Sequence, residues 1–170
     1  GLLIESIREP NPVVFFADLM LLGKKGDVPE GAYSIEFGKA DVKREGTDVT
    51  VVAIGSTVPQ ALEVADQLAE TGVSVEVIDP RTLVPFDWDA VAKSVSKTGR
   101  LVAVDPNRET CGAASEIITQ AVERCWSQLK AQPQRVTWPN VPMPYSPPLE
   151  KAVVSDLDDI RRAIELTLKS

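Results

Sequence analysis

The residues of this sequence that could do chemistry are carboxylates, arginines, lysines and tyrosines, because histidine is absent. The chain therefore lacks the commonest general base and the commonest metal ligand of proteins. No Ser-His-Asp or Cys-His arrangement can form within it. The remaining candidates cluster in three stretches that each follow an apolar run, namely AIGSTVPQ, VEVIDPRTLVPFD and DPNRETCGAASE.

The first stretch places Gly55, Ser56 and Thr57 at the start of a predicted helix. Free backbone amides and the helix dipole at such a position can hold an anion. The stretch has neither the lysine nor the repeated glycines of a phosphate-binding loop. An ordinary turn with Ser56 or Thr57 as the helix N-cap is the favoured interpretation, and a weak anion site is the alternative.

The second stretch carries Asp79 and Arg81 at the end of a strand. These charges could orient a ligand or a charged group of a partner. The favoured interpretation is a structural clamp, in which Asp79 accepts backbone amides, Arg81 bridges to a carboxylate such as Asp87, and Leu83 fills the edge of the core. A subunit contact is the next choice, since the arginine fork suits protein interfaces.

The third stretch forms a polar loop of Asp105, Arg108 and Glu109 before a helix that begins with small residues. Cys111 lies near the start of this helix, a position where reactive cysteines occur. Without histidine, Cys111 makes a poor case for nucleophilic catalysis. We therefore expect a small residue packed at the helix entry.

Apolar strands alternate with amphipathic helices from about residue 36 onward. The strand patterns are VTVVAI, VSVEVI, LVAV and RVTW. This alternation predicts a mostly parallel sheet covered by helices on both faces, a three-layer α/β/α fold. An earlier strand, ADVKR, is predicted to form a hairpin with VTVVAI around the Glu45-Gly46-Thr47 turn and to add one antiparallel strand. A capping box at Ser155 and Asp158 is expected to open the last helix.

The segments near the two ends of this domain differ in composition from the rest of the chain. LLIESIREP predicts a helix stopped by Pro10, and PVVFFADLM predicts a short strand. The passage VPMPYSPPLEK is too rich in proline for a sheet interior. Two interpretations are equally favoured. The passage is either a groove wall or subunit contact anchored by Tyr145, or an extended strap that lies over its own domain. Trp88, Trp126 and Trp138 are expected in the core or at its edge.

Composition excludes several classes of function. The net charge of -7 disfavours binding to nucleic acid. No apolar run approaches the roughly 20 residues of a membrane helix. The only two cysteines, Cys111 and Cys125, are expected to remain unpaired, which fits a reducing, cytoplasmic compartment. The first residue is Gly1, and we expect the beginning of the protein to lie elsewhere.

Six motifs, in this order, resemble a known family: GLLIESIREPNPVVFF, GKADVKREGTDVTVVAIGSTVPQALEVADQL, VEVIDPRTLVPFD, VSKTGRLVAVD, GAASEI and PMPYSPPLEKAVV. They are similar to the carboxyl-terminal part of the β subunit of thiamine-diphosphate-dependent 2-oxo acid dehydrogenases, within the transketolase superfamily. This group includes pyruvate, branched-chain and acetoin enzymes. The resemblance implies a transketolase carboxyl-terminal domain with a five-stranded mixed sheet over residues 36–170. Residues 1–22 would be a remnant of the preceding pyrimidine-binding domain, and residues 23–35 a linker.

The resemblance also implies the role of this chain. Thiamine diphosphate and Mg would be bound by other regions of the parent enzyme, which decarboxylates a 2-oxo acid oxidatively, so no cofactor, metal or catalytic residue is expected here. The domain would support assembly with a second β subunit and the α subunit, and dock the acyltransferase core. The expected contact residues are Asp79, Arg81, Tyr145, Pro147 and Glu150.

One departure from the family limits what can be inferred about the substrate. Asp105 stands where pyruvate and branched-chain members usually have a histidine, and Gly112 is what remains of a glycine-rich helix entry. The 2-oxo acid therefore cannot be copied from either subgroup. The alternative function is a stand-alone module that binds an anion or nucleotide at residues 55–57.

Overall fold

The computed structural model describes residues 1–169 and contains one sheet with the strand order β1-β3-β2-β4-β5. Strands β2 to β5 run parallel to one another, and β1 is antiparallel to β3. The predicted mostly parallel, five-stranded mixed sheet is therefore confirmed. The strands are β1 (Asp41–Arg44), β2 (Val49–Ala53), β3 (Val75–Asp79), β4 (Leu101–Arg108) and β5 (Gln134–Trp138).

Helices cover both faces of the sheet and give the predicted three layers. One core cluster lies between the sheet and α2 and α6, and the second lies between the sheet and α3 and α4. Every residue of β2 is buried, as expected for a central strand of a parallel sheet. The helices are α1 (Leu2–Arg8), α2 (Thr57–Ala69), α3 (Trp88–Thr98), α4 (Ala113–Cys125), α5 (Pro147–Lys151) and α6 (Leu157–Leu168).

Local side-chain contacts define where the helices begin. Asp87 accepts a hydrogen bond from the Ala90 amide at 3.1 Å and so caps α3. The capping box of α6 uses Asp156 and Asp159, one residue later than predicted. The shift follows from Ser155, whose hydroxyl donates to the carbonyl of Thr137 at 3.1 Å and ties the helix entry to β5 instead.

The predicted hairpin between β1 and β2 is wrong, although the antiparallel strand is present. The amides of Thr47 and Asp48 both donate to the carbonyl of Ser74, at 3.2 and 2.8 Å, just before β3 begins. The turn therefore crosses over the start of β3, and β1 and β2 lie on opposite sides of that strand.

The first 40 residues contain only one regular element. Helix α1 is confirmed and ends at Arg8, before Pro10. The strand predicted from PVVFFADLM is wrong, because residues 9–40 form neither helix nor strand. A strand needs a neighbour for its backbone groups, and no strand of this sheet pairs with it. Its exposed apolar side chains include Val14, Phe16, Leu19 and Met20.

Two of the three tryptophans differ in their packing. Trp88 stacks on Phe86 with ring centroids 4.0 Å apart, at the edge of the second core cluster. Trp126 is 74% exposed, so its predicted place in the core or at its edge is wrong. Within residues 1–169, no helix combines the length and the apolar character that crossing a membrane requires.

Candidate functional site

The carboxyl ends of the parallel strands meet at one edge of the sheet, which is where open α/β folds usually bind ligands. We define this carboxyl edge by the three turns that follow β2, β3 and β4. They span residues 54–57, 79–87 and 105–112, and the first residues of the latter two still belong to the ends of β3 and β4. Each contains one of the candidate groups identified in the sequence.

At the first turn, a carboxylate of the same chain occupies the predicted anion site. The Ser56 amide donates to Asp18 Oδ2 at 2.7 Å. Gly55 has a φ of 57°, and a Cβ at this glycine would lie 2.9 Å from the same oxygen. The Thr57 hydroxyl donates to the carbonyl of Ile54 at 2.8 Å. The predicted site at Gly55, Ser56 and Thr57 is thus built around Asp18, and an external anion would have to displace it.

Asp18 is a residue of this edge that the sequence did not indicate. Burial opposes its ionisation, but hydrogen bonds from Ser56 and from the Met20 amide outweigh this effect and lower the pKa of Asp18. The negative charge is therefore favoured where the α2 dipole is positive. No sequence signal reveals this contact, because Asp18 lies in an irregular segment far along the chain from Ser56.

At the second turn, the structural clamp is confirmed for Asp79 but uses a different partner for Arg81. Asp79 Oδ1 accepts the Arg81 amide at 3.0 Å. The Arg81 guanidinium contacts Asp41 on β1 at 2.6 Å, and Lys43 contacts the same carboxylate oxygen at 2.5 Å. The predicted bridge from Arg81 to Asp87 is wrong, since Asp87 caps α3 instead.

The pKa values of the two carboxyl groups beside Arg81 are shifted in opposite directions. Burial raises the pKa of Asp79 above its ordinary value and outweighs its hydrogen bond from the Arg81 amide. Burial also opposes ionisation of Asp41, but Lys43 and Arg81 outweigh it and lower the pKa of Asp41. Arg81 also has a φ of 59°, which is uncommon for a residue with a side chain. This ion cluster fixes the turn to edge strand β1.

The remainder of the second turn is fastened to residues 38–40. The Gly38 amide donates to the Thr82 hydroxyl at 3.0 Å, and the Ala40 amide donates to Asp87 Oδ2 at 3.0 Å. The loop includes a cis peptide bond before Pro85. Leu83 is exposed, so its predicted role at the core edge is wrong. These hydrogen bonds therefore hold the loop to residues 38–40 of the same chain.

At the third turn, Asp105 is buried and serves as a helix cap. Its Oδ2 accepts the Ala114 amide at 3.1 Å. Gly112, at the N-cap position, has no side chain to do this, and a Cβ there would lie 2.9 Å from Asp105 Oδ2 and 2.6 Å from the Arg108 carbonyl oxygen. The Asp105 carboxylate therefore satisfies one amide at the amino end of α4, close to the backbone of Gly112.

The rest of the third turn contacts the segment after β5. Strand β4 extends to Arg108, further than LVAV predicted, and the Arg108 guanidinium donates to the Val141 carbonyl at 3.1 Å. The Asn140 amide group donates to Glu109 Oε1 at 3.2 Å. Cys111 and Cys125 are both free, as expected. The predicted packing of Cys111 at the helix entry is wrong, because Cys111 is exposed with a φ of 60° and the buried Gly112 takes the entry position.

The proline-rich passage after β5 lies largely exposed on the surface. Tyr145 is fully exposed, and α5, which contains Pro147 and Glu150, has no buried residue. We call residues 139–151 the strap. The strap follows edge strand β5, whereas Asp79 and Arg81 lie beside edge strand β1. The five predicted contact residues thus form two groups at opposite edges of the sheet.

A groove of about 640 Å³ lies between β5 and α6, away from the turns after β2 and β3. Its walls include Arg135, Thr137, Lys151, Asp156 and Arg162. Asp156 is engaged in the α6 capping box. Among residues 1–169, no group of three or more histidine, cysteine, aspartate or glutamate side chains could hold a metal ion.

Comparison with known proteins agrees with this geometry. The family model described as "Transketolase, C-terminal domain" matches residues 38–160. The chain is 43% identical over 169 residues to the β subunit of acetoin:2,6-dichlorophenolindophenol oxidoreductase from Cupriavidus necator, covering 99% of this chain and 50% of that protein. It is 42% identical over 147 residues to the pyruvate dehydrogenase E1 component β subunit of Bacillus subtilis, covering 86% of this chain and 45% of that protein.

A solved structure shows the same architecture. A split-gene transketolase, an inactive β4 tetramer, superposes with a TM-score of 0.67 and 26% identity, covering 85% of this chain and 46% of that one. The chain spans about half the length of the curated relatives it matches. Because the family model covers most of the sheet and its helices, the chain belongs to the transketolase C-terminal domain family.

Proposed function

We propose that this chain is the non-catalytic carboxyl-terminal part of a 2-oxo acid dehydrogenase β subunit, and that it supports subunit assembly. The match to β subunits of acetoin and pyruvate enzymes along most of its length supports this proposal. In this proposal, residues 1–22 belong to the preceding domain, residues 23–35 are a linker, and residues 36–170 are the assembly domain. The parent enzyme works in the cytoplasm.

The residues at the carboxyl edge do not fit thiamine diphosphate or its Mg ion. The one turn suited to a phosphate group already holds the Asp18 carboxylate, which has the same sign of charge. The described residues 1–169 also offer no acidic cluster for a divalent cation. We infer that the parent enzyme binds thiamine diphosphate and Mg through other regions, and that this chain contributes no step of the chemistry.

The exposure of apolar side chains on the strap is the single observation that best supports the assembly role. Its apolar side chains Val141, Met143, Tyr145 and Leu149 are all exposed in the isolated chain. A run of exposed apolar residues around a tyrosine is typical of a protein interface. The partners we propose are a second β subunit, the α subunit and the acyltransferase core, contacted through Tyr145, Pro147 and Glu150, with Asp79 and Arg81 as a second contact.

Sedimentation equilibrium tests this role, with the whole chain and with a shortened chain of residues 36–170. We expect both to form dimers, and we expect Tyr145→Ala to weaken the dimer about tenfold or more, as removal of a central interface aromatic does. Trp126→Ala is the matched control, because Trp126 is also exposed but lies outside the strap. If only the longer chain associates, its apolar residues 13–22 cause the association and the assembly role of the strap is lost.

The Arg81 contact needs its own control, since Arg81 already forms an ion pair within the chain. Arg81→Glu would break this pair and also remove any contact with a partner. Asp41→Asn breaks the same pair but leaves the guanidinium in place. Equal weakening of the dimer by both variants would show an effect through β1 and would remove Arg81 from the interface.

A further inference from the structure

Residues 1–35 contact the α/β domain at the amino end of α2. The first turn of a helix has amides without partners inside the helix. The Ser56 side chain makes no capping hydrogen bond here. Its amide instead donates to Asp18 Oδ2 at 2.7 Å, from a segment that has no regular secondary structure.

Both sides of this contact are shaped for it. On the domain side, Gly55 adopts a φ of 57° and leaves the space that a Cβ would take from the Asp18 carboxylate. On the segment side, Asp18 Oδ1 accepts the Met20 amide at 2.9 Å, and its carbonyl accepts the Leu21 amide at 3.0 Å. The local turn therefore holds the carboxylate in the direction of Ser56.

The first residue of the chain also packs against residues at the end of its own linker. Gly1 packs so closely on Tyr33 and Ile35 that a Cβ at Gly1 would lie 2.7 Å from the Tyr33 ring. Residues 1–35 thus form a loop that begins and ends near Ile35. Asp18 lies midway along this loop, so a contact there restricts the whole loop.

We propose that Asp18, with Gly55 and Ser56, is an anchor that fixes residues 1–35 across the carboxyl edge of the sheet. We call this contact the Asp18 anchor. It sets the position of α1 and of the exposed apolar residues 13–22 relative to the α/β domain. The anchor goes beyond the assembly role proposed above and does not depend on it, because it is formed within one chain.

Hydrogen exchange of the Ser56 amide, followed by NMR on the whole chain, tests the anchor. Asp18→Ala should accelerate this exchange about tenfold or more, because a hydrogen bond to a charged acceptor is lost. Asp18→Asn retains a neutral acceptor and should give an intermediate rate. Asp27→Ala is the matched control, as Asp27 is an exposed carboxylate in the same segment, and it should leave the rate unchanged.

Chymotrypsin cleavage after Phe15 and Phe16 gives a second readout. Release of the anchor should speed this cleavage in Asp18→Ala severalfold, while exchange of the buried Val52 amide in β2 stays at the wild-type rate and shows that the domain is folded. Equal Ser56 exchange in wild type and Asp18→Ala would overturn the anchor. So would equal acceleration by Asp27→Ala, which would indicate a general effect of charge. If Asp18→Ala does not fold, Asp18→Asn decides by the same measurements.

Discussion

A carboxylate is bound by a backbone amide at each of the three turns along the carboxyl edge. Asp18 accepts from Ser56, Asp79 accepts from Arg81, and Asp105 accepts from Ala114. A carboxylate that satisfies an otherwise unpaired amide stabilises the fold and is less available as a base or a metal ligand. The residues that could have formed an active site therefore position the turns.

Glu76 shows how a buried charge can be kept ionised. It lies in β3 with a side chain only 4% exposed, and it forms an ion pair with Lys97 on α3. The Gly46 amide also donates to Glu76 Oε2 at 3.1 Å. Burial opposes ionisation, but these hydrogen bonds outweigh it and lower the pKa of Glu76 below its ordinary value of 4.5. The hydrogen bond between Lys97 and Glu76 also raises the pKa of Lys97.

This lowered pKa predicts a pH-dependent effect of Glu76→Gln. Ionised Glu76 stabilises the fold fully above pH 4.5, and this stabilisation is lost as the pH falls through its lower folded-state pKa. The variant should lower the free energy of unfolding at pH 7 by about 2 kcal/mol. Urea unfolding at several pH values should show the difference from wild type narrowing below pH 4.5.

Glu45→Gln is the control, because Glu45 contacts the same lysine but its side chain is 79% exposed. An exposed ion pair contributes little, so the change should stay within about 0.5 kcal/mol. A pH-independent loss in Glu76→Gln, or an equal loss in both variants, would contradict the prediction.

At the scale of elements, the sequence predicts which segments form the layers of the fold better than it predicts which strands lie side by side in the sheet. Apolar runs such as residues 49–53 and 101–104 fix which segments become buried strands, because both faces must be covered. The turn at Glu45-Gly46-Thr47 specifies a reversal of direction, which is compatible with β1 beside β2 or beside β3. Only the contacts of residues 47–48 with Ser74 decide between them.

The carboxyl edge was harder to predict because its contacts join distant segments. The position of Asp79 at the end of a strand indicated a backbone acceptor, and the structure confirms it. Nothing in the spacing of residues indicated that Arg81 would contact Asp41 rather than Asp87, or that Asp18 would cap α2. Both contacts depend on which strand or irregular segment lies alongside, and that is a property of the assembled sheet.

The crossing of the β1–β2 turn over β3 requires glycine at position 46. Gly46 is buried, and a Cβ there would collide with the backbone of Val75 and Glu76. Backbone atoms cannot move aside as a flexible side chain can, so we expect Gly46→Ala to lower the free energy of unfolding by about 2 kcal/mol. Urea unfolding measures this change.

Gly26→Ala is the matched control, since nothing lies within 4 Å of a Cβ at Gly26. Its free energy of unfolding should stay within about 0.5 kcal/mol of wild type. Tolerance of alanine at Gly46 would mean that the turn does not pack on β3 in solution.

For the whole molecule, the buried residues define where the folding unit begins. Within residues 1–169, every buried residue lies at Gly46 or beyond it, and both core clusters are built from the sheet and the helices that cover it. Residues 1–35 instead expose apolar side chains such as Phe16 and Met20, at 86% and 76%. The hydrophobic stabilisation of the molecule therefore comes almost wholly from residues 36–169.

Deletion of residues 1–35 should consequently leave the free energy of unfolding within about 1 kcal/mol of that of the whole chain, since the deletion removes the Asp18 hydrogen bond but no buried core. The dependence of that free energy on urea should also be nearly unchanged, because it scales with the surface exposed on unfolding, and the deleted segment contains no buried residue. Urea unfolding of both chains, followed by circular dichroism, measures both quantities. A loss of several kcal/mol, or a clearly shallower urea dependence, would mean that residues 1–35 bury apolar surface against the domain in solution. The shortened chain should also aggregate less on heating, because the exposed apolar residues 13–22 are gone.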